Sequence, residues 1–380
     1  MDEVSSISSV PETNHFTDTC ISPPETFAYS ISPQEDPIQS QATVPSIPGQ
    51  LVATVESGFE YAEVFGIRIQ NNHQEIWLRA DQKEGSLRRF LIYNPSSKKW
   101  DTVSAEIGNR IQIEKLFFTE DGAVYGIPDL NRQDETNEFS VLSKHNEETK
   151  TFEFVKPLQK IPATSKDKYR TTQVIFDAQR ELFWFLVPDD AIYSFCPETQ
   201  EVEKHLDIPG EETYDVVKAG ISTSGNIYML SHRGFVYTNI DGIQLTKFDP
   251  NTGSIEQFSI PLNPWPVVDD LFVDRSERVW FGAVGWLEPD GTWYQMVPSP
   301  IFITNIRFSG LENRWKFPTI ELESKDGRLW MKFVNGLVWL DPEKKNWCWF
   351  TTKESNIFED IDGDLWMVAD NSLYKLPISD

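Results

Sequence analysis

Residues 324–342 read Ser324-Lys325-Asp326-Gly327-Arg328-Leu329-Trp330-Met331-Lys332-Phe333-Val334-Asn335-Gly336-Leu337-Val338-Trp339-Leu340-Asp341-Pro342. The stretch contains two turns and two strands. Asp326-Gly327 is tight-turn chemistry, because glycine supplies the positive φ that such corners need. Leu329–Phe333 and Leu337–Leu340 have the aromatic and aliphatic content of strands. Asp341-Pro342 is a second corner, with proline presetting φ. No segment of 12 or more residues shows a helical stripe, so the strands carry the fold.

The same phrase recurs outward from this point. Thr119-Glu120-Asp121-Gly122-Ala123-Val124-Tyr125, Ser222-Thr223-Ser224-Gly225-Asn226-Ile227-Tyr228 and Asp360-Ile361-Asp362-Gly363-Asp364-Leu365-Trp366 are copies. Looser ones end in Ile76-Trp77, Phe183-Trp184 and Val279-Trp280. The seven anchors are Trp77, Tyr125, Trp184, Tyr228, Trp280, Trp330 and Trp366, at a mean spacing of about 48 residues, the length of a four-stranded propeller blade. The second corner recurs as Asn94-Pro95, Cys196-Pro197, Asp249-Pro250 and Asp341-Pro342. Each unit therefore reads as a strand, an Asp-Gly hairpin, the aromatic strand, a third strand, an Asp-Pro turn and an outer strand. An aromatic at one fixed position fills the wedge between neighbouring blades and buries ~150–250 Å². A site does not repeat sevenfold, whereas a core does. The expected fold is all-β: one seven-bladed β-propeller of four-stranded antiparallel blades.

Asp326-Gly327-Arg328-Leu329-Trp330 followed by Asn335-Gly336-Leu337-Val338-Trp339-Leu340-Asp341-Pro342 resembles the two-component-regulator propeller repeat. More distantly, the chain is similar to the propeller of virginiamycin B lyases. The resemblance covers residues 51–380 at the level of repeats and is tightest in the sixth and seventh units. It implies a ligand-sensing propeller of the kind joined to a membrane span and a kinase, neither of which this sequence contains. Lyase chemistry of the second group depends on paired histidines and a metal. The five histidines here, His15, His73, His145, His205 and His232, form no such pair. Repeats of this kind specify architecture strongly and function weakly.

Composition narrows the class. The chain has 380 residues, 34 Lys+Arg against 59 Asp+Glu, and a formal charge of −25. Nucleic acid is not an expected partner of so acidic a protein. No apolar run reaches the ~18–20 residues of a membrane span. Three cysteines (Cys20, Cys196 and Cys348) build no disulfide framework. Residues 1–50 hold nine Ser, seven Pro and seven acidic residues, with no Lys, Arg or Trp. So little apolar material cannot offset the entropy of ordering, and residues 1–49 read as a disordered tail before a propeller over 50–380. No secretory leader is legible, which makes the cytoplasm the expected compartment. Extracytoplasmic placement would follow if a leader had been trimmed.

Candidate chemistry is sparse. Glu359-Asp360-Ile361-Asp362-Gly363-Asp364 lacks calcium-loop spacing and reads as a blade turn. Asp189-Asp190 and Asp269-Asp270 read as solvated strand ends. No metal and no cofactor are expected. The ligand-binding candidates are His232 and Arg233 after an aromatic strand, Asn335, and Arg307, Arg314 and Trp315 in an irregular segment at 298–318. Exposed arginines mixed with aromatics favour interfaces. Residues 126–140 read as a polar insertion. The expected function is a non-enzymatic, monomeric binding or scaffold propeller, recognising a protein or glycan through loops at one end of its channel. The alternative is a lyase or hydrolase using acidic residues at the channel mouth. Such an enzyme should gather His and carboxylates with shifted pKa values in the channel. Because the seventh unit holds only three strands, residues 50–57 are expected to add its outer strand and close the ring.

Overall fold

The computed structural model describes residues 50–376 apart from 56–58, 71–72, 83–87, 108–110, 130–139, 163–171, 188–189, 208–213, 234–242, 261–269, 283–284, 296–303, 309–310, 317–318, 334–335, 344–345, 352–355 and 370–371. Residues 1–49, on which the tail was expected, lie outside it.

Seven antiparallel sheets form the ring. Blade 1 is Phe59–Gln70, His73–Gln82, Arg88–Asn94 and Lys99–Ser104. Blade 2 is Ile111–Phe118, Val124–Pro128, Ser143–Asn146 and Thr151–Phe154, with the short strand Glu106–Ile107 at its edge. Blade 3 is Gln173–Asp177, Leu182–Leu186, Ala191–Cys196 and Glu201–Asp207. Blade 4 is Tyr214–Ile221, Ile227–Arg233, Ile243–Asp249 and Ser254–Ser259. Blade 5 is Phe272–Val273, Val279–Trp280, Gly285–Leu287 and Trp293–Gln295. Blade 6 is Thr319–Glu323, Leu329–Phe333, Gly336–Asp341 and Asn346–Thr351. Blade 7 is Ile357–Glu359, Leu365–Ala369 and Ser372–Leu376, with Gln50–Thr54 as its fourth strand. That fourth strand runs antiparallel to Ser372–Leu376, with Gln50 opposite Lys375 and Thr54 opposite Ser372.

First strands touch between blades 1 and 2, 3 and 4, 4 and 5, and 6 and 7, and blade 7 returns to blade 1. These strands therefore line the central channel. The single helical element described is a 3₁₀ turn at Lys156–Lys160. Among the described residues no helix is long and apolar enough to cross a membrane.

Seven buried clusters hold the ring, one per interface. Trp77 packs with Ile113, Leu116 and Phe152 of blade 2. Tyr125 meets Phe183 and Phe195 of blade 3, and Trp184 meets Met229 and Phe248 of blade 4. Tyr228 joins Leu271 and Phe281 of blade 5, while Trp280 joins Met331 and Val338 of blade 6. Trp330 packs on Ile357 and Met367 of blade 7, and Trp366 on Val64 and Leu91 of blade 1. Each of these aromatics is at most 4% exposed. Packing blade on blade buries both faces of the sheets, which is why few large apolar side chains are exposed among the described residues.

The turns before the aromatic strands share one construction. Backbone bonds link Ser324 N–H to Arg328 O and Gly327 N–H to Ser324 O, and the same pair recurs at Thr119, Ser222, Asp274 and Asp360. This is a type I turn followed by a left-handed residue. Gly327 takes it with φ +82°, whereas blade 5 places Glu277 there at φ +65°, a strained conformation for a residue with a Cβ. The Glu277 carboxylate accepts bonds from Thr223 Oγ1 at 2.8 Å and Ser224 N–H at 2.7 Å in blade 4. Similar bonds join other turns: Arg68 Nε to Gly122 O, Glu120 N–H to Glu181, Arg180 to Ser224 O, Arg275 to Ser324 O, and Lys325 N–H to Glu359. The turns thus stitch blade to blade at one rim of the ring.

The turn also holds the anchor. The Trp280 and Trp366 indoles each donate to the carboxylate six residues earlier, Asp274 and Asp360, at 2.8 Å. Trp330 donates to Ser324 Oγ at 3.1 Å. Asp360 also accepts the backbone N–H groups of Asp362 and Asp364. The acidic run at 359–364 is therefore a turn built around one buried carboxylate.

One expectation changes. The segment 298–318 contains an antiparallel hairpin, Thr304–Phe308 with Leu311–Lys316, set between blades 5 and 6. Alternation of apolar and polar residues in Thr304–Phe308 is the strand signal that its prolines and arginines obscured. Residues 126–128 of the expected insertion belong to a strand, and 130–139 lie outside the described residues.

Candidate functional site

The channel carries charge where an ordinary sheet interior would be apolar. Lys115, Lys218 and Asp270 each stand ten residues before the anchor of their blade, in blades 2, 4 and 5. Equal offset places them at a similar height on the channel wall. Asn356 has the same offset in blade 7 and accepts a bond from Lys332 Nζ at 2.8 Å. Asp270 is 4% exposed, accepts the Ile320 N–H of blade 6 at 2.8 Å, and faces Lys218 Nζ at 3.7 Å. Glu321 is the extra residue of a bulge between Ile320 and Leu322, which turns its side chain out of the ladder.

Lys115 and Glu321 are open to solvent yet crowded by surrounding protein, the condition of side chains that line a narrow aqueous channel. That crowding lowers the pKa of Lys115, and the positive charge of Lys218 lowers it further, partly opposed by Glu321. The Lys115 ammonium also lies 4.9 Å from the centre of the Phe117 ring. Desolvation raises the pKa of Glu321, and Asp270 adds to the rise, while Lys332 and Lys218 oppose it. Four blades thus converge on a set of lysines and carboxylates that feel one another's charge. A ligand acid group entering there would meet Lys115, Lys218 and Lys332 beside the carboxylates of Asp270 and Glu321, in a molecule whose net charge is −25.

Histidines contribute nothing described to the channel. His73 is exposed, and His205 lies in a groove between blades 3 and 4. His145 is a core residue, with its side chain 1% exposed and set edge-on to Trp77 with ring centres 5.5 Å apart. Its Nδ1 stands 3.5 Å from a Glu147 carboxylate oxygen, its Nε2 has no partner, and burial lowers its pKa against the opposing charge of Glu147. The folded protein therefore resists protonating His145 while the unfolded chain accepts the proton below about 6.5. Stability should fall as pH drops through that value, by at most ~1.4 kcal/mol per pH unit from this group. Urea midpoints at pH 7.5 and 5.5 should differ less in His145→Phe than in the parent; an unchanged difference would remove His145 as the cause.

Among the described residues the sequence candidates lie on two elements, the second strand of blade 4 and the hairpin that follows blade 5 in the chain. His232 and Arg233 end the second strand of blade 4, opposite Asp215 and Tyr214. Arg314 and Trp315 lie on the hairpin opposite Ile306 and Asn305, and Arg307 sits at its bulge. Asn335 lies outside the described residues, as does Asp189. Asp190 is engaged by the Tyr193 hydroxyl at 2.7 Å. Among the described residues no group of His, Cys, Asp and Glu is arranged to hold a metal ion. The channel lysines had one legible signal, their shared offset from the anchors.

No family model matches the chain, and no curated protein matches it in sequence. Solved structures do match. The chain is similar to streptogramin B lyase, with 12% identity over 86% of this chain and 96% of that one, at a TM-score of 0.53. It is equally similar to YCF48 bound to a D1 peptide, with 10% identity over 89% and 98% of the two chains and a TM-score of 0.54. The likeness is one of fold. The extracellular domain of a putative hybrid two-component system from B. thetaiotaomicron also matches, with 13% identity and a TM-score of 0.48, over 86% of this chain. This chain spans only 42% of that protein.

Proposed function

We propose that this chain is a binding propeller that receives an acidic segment of a protein ligand in its channel. The observation that carries the reading is the pair Lys115 and Lys218, held at equivalent positions of two blades and close enough to repel each other. Proteins keep like charges together where a ligand of opposite charge relieves the repulsion. YCF48, of similar fold, has a peptide bound, which supports a peptide as ligand.

An acidic peptide array probed with the full chain supplies ligands, and fluorescence anisotropy supplies their affinities. The double variant Lys115→Met, Lys218→Met should bind the best of them at least tenfold more weakly, with a shallower salt dependence. Affinity unchanged by the double variant would overturn the reading. The enzymatic alternative is favoured by the channel cluster itself, where Lys218 faces Asp270 at 3.7 Å and the pKa of Lys115 is lowered while that of Glu321 is raised. Peptide consumed rather than retained would decide for it.

A further inference from the structure

The strand neighbour of each anchor shows a regularity with one exception. Opposite the anchors on the third strands stand Ile92, Lys144, Lys247, Trp286, Trp339 and Lys375 in six blades. These bulky side chains can cover the aromatic ring: Lys144 lies over Tyr125, Lys375 over Trp366, and Trp286 stacks on Trp280 at 4.8 Å. Blade 3 has Ser194 there instead, opposite Trp184. A serine covers almost nothing.

The space it leaves is an open cleft of about 570 Å³ between blades 3 and 4, within the size range of small-molecule sites. Its floor is polar and aromatic together. The His205 ring lies 4.9 Å from that of Trp184, and its Nε2 is 2.8 Å from Ser194 Oγ. The turn of this blade is also one residue longer, so Asp177 stands seven residues before Trp184 rather than six. The Asp177 carboxylate is taken by Arg180 at 2.9 Å, and the Trp184 indole N–H is left without a partner. Trp184 is only 2% exposed, and its unused donor is shielded from solvent behind the wall of the cleft.

We propose that this cleft is a binding site for a small neutral hydroxylated ligand of mono- or disaccharide size. Ser194 Oγ and the His205 ring on the floor offer hydrogen-bonding groups to a hydroxylated ligand. Glu201, Glu203 and Asn251 at the opening supply acceptors for ligand hydroxyls. An anion would meet the two glutamates, and the one cation of the wall, Arg180, is already paired with Asp177. The other six blades fill this position from the third strand, whereas blade 3 packs His205 against Trp184 and keeps the small Ser194 beside the cleft.

Saturation-transfer NMR on the full chain tests the site with glucose, galactose, N-acetylglucosamine, maltose and cellobiose, and with choline and citrate as charged comparisons. At least one sugar should take up saturation. Ser194→Ile, which installs the residue of blade 1, should weaken that sugar at least tenfold. Asn251→Trp, which fills the cleft from the exposed turn of blade 4, should do the same, so a folding failure of the first variant leaves the second to decide. Ser194→Ala keeps the space and should bind within about threefold of the parent. The channel variant Lys115→Met, Lys218→Met should bind the sugar normally, which separates this site from the peptide reading. Transfer to no sugar, transfer to choline or citrate alone, or transfer unaffected by either blocking variant would overturn the proposal.

Discussion

Deleting residues 1–58 should cost several kcal/mol and shift the protein toward aggregates, while deleting residues 1–48 should leave the urea midpoint nearly unchanged. The contrast follows from how the ring closes. Gln50–Thr54 supplies the fourth strand of blade 7, which otherwise ends at Ser372–Leu376. Val55 is buried in the cluster that joins blade 7 to blade 1, and Val52 and Ala53 pack against it. The longer deletion removes those contacts together with the strand. Burying Val side chains stabilises by about 1.5–3 kcal/mol each, so losing two of them with their ladder bonds accounts for the expected size. The exposed edge of Ser372–Leu376 would then present unpaired N–H and C=O groups to other chains. Size-exclusion chromatography and urea unfolding of the two truncations provide the measurement. Equal midpoints would show that the N-terminal strand does not latch the ring.

Trp330→Ala should destabilise by about 3–5 kcal/mol, the usual range for emptying a large aromatic site. Trp330 is 4% exposed and packs with Leu337, Ile357, Leu365, Met367 and Leu376, so it joins blades 6 and 7 rather than decorating one of them. Its indole N–H donates to Ser324 Oγ, a group with no exposure of its own. Trp330→Phe keeps most of the volume and loses that bond, and should cost less, about 1–2 kcal/mol. The ordering of the two variants is the discriminating result. An alanine variant within 1 kcal/mol of the parent would mean that the blade interface tolerates a cavity and that the ring is held mainly by its turns.

The candidate site was less legible than the fold. Nothing local in the sequence marks Lys115 and Lys218, and only their common distance from Tyr125 and Tyr228 sets them apart. Asp270 read as a solvated strand end, yet it is buried and bridges Lys218 to the backbone of Ile320. Its partners lie 52 residues before it and 50 after it, beyond the reach of any local pattern. His232 and Arg233 end an aromatic strand, and strand position alone does not say whether a residue reaches the channel.

Local chemistry determined the number of blades, the order of strands within each and the position of the anchors. The Asp-Gly turn, the two-residue alternation and the Asp-Pro corner act over about a dozen residues, and the chain repeats them at a period that fits one four-stranded unit. Other features exist only because the sheets pack in a ring. The pairing of Gln50–Thr54 with Ser372–Leu376 joins the two ends of the described chain. The charge cluster forms because blades 2, 4, 5 and 6 face one another across a channel. The cleft at Ser194 opens because Gly225, Pro250 and Asn251 of blade 4 stand opposite a blade 3 that lacks a bulky neighbour for Trp184. The physical reason is the same in each case: hydrogen bonds within a blade are local in sequence, whereas burial and electrostatics between blades depend on residues that only closure of the ring brings together.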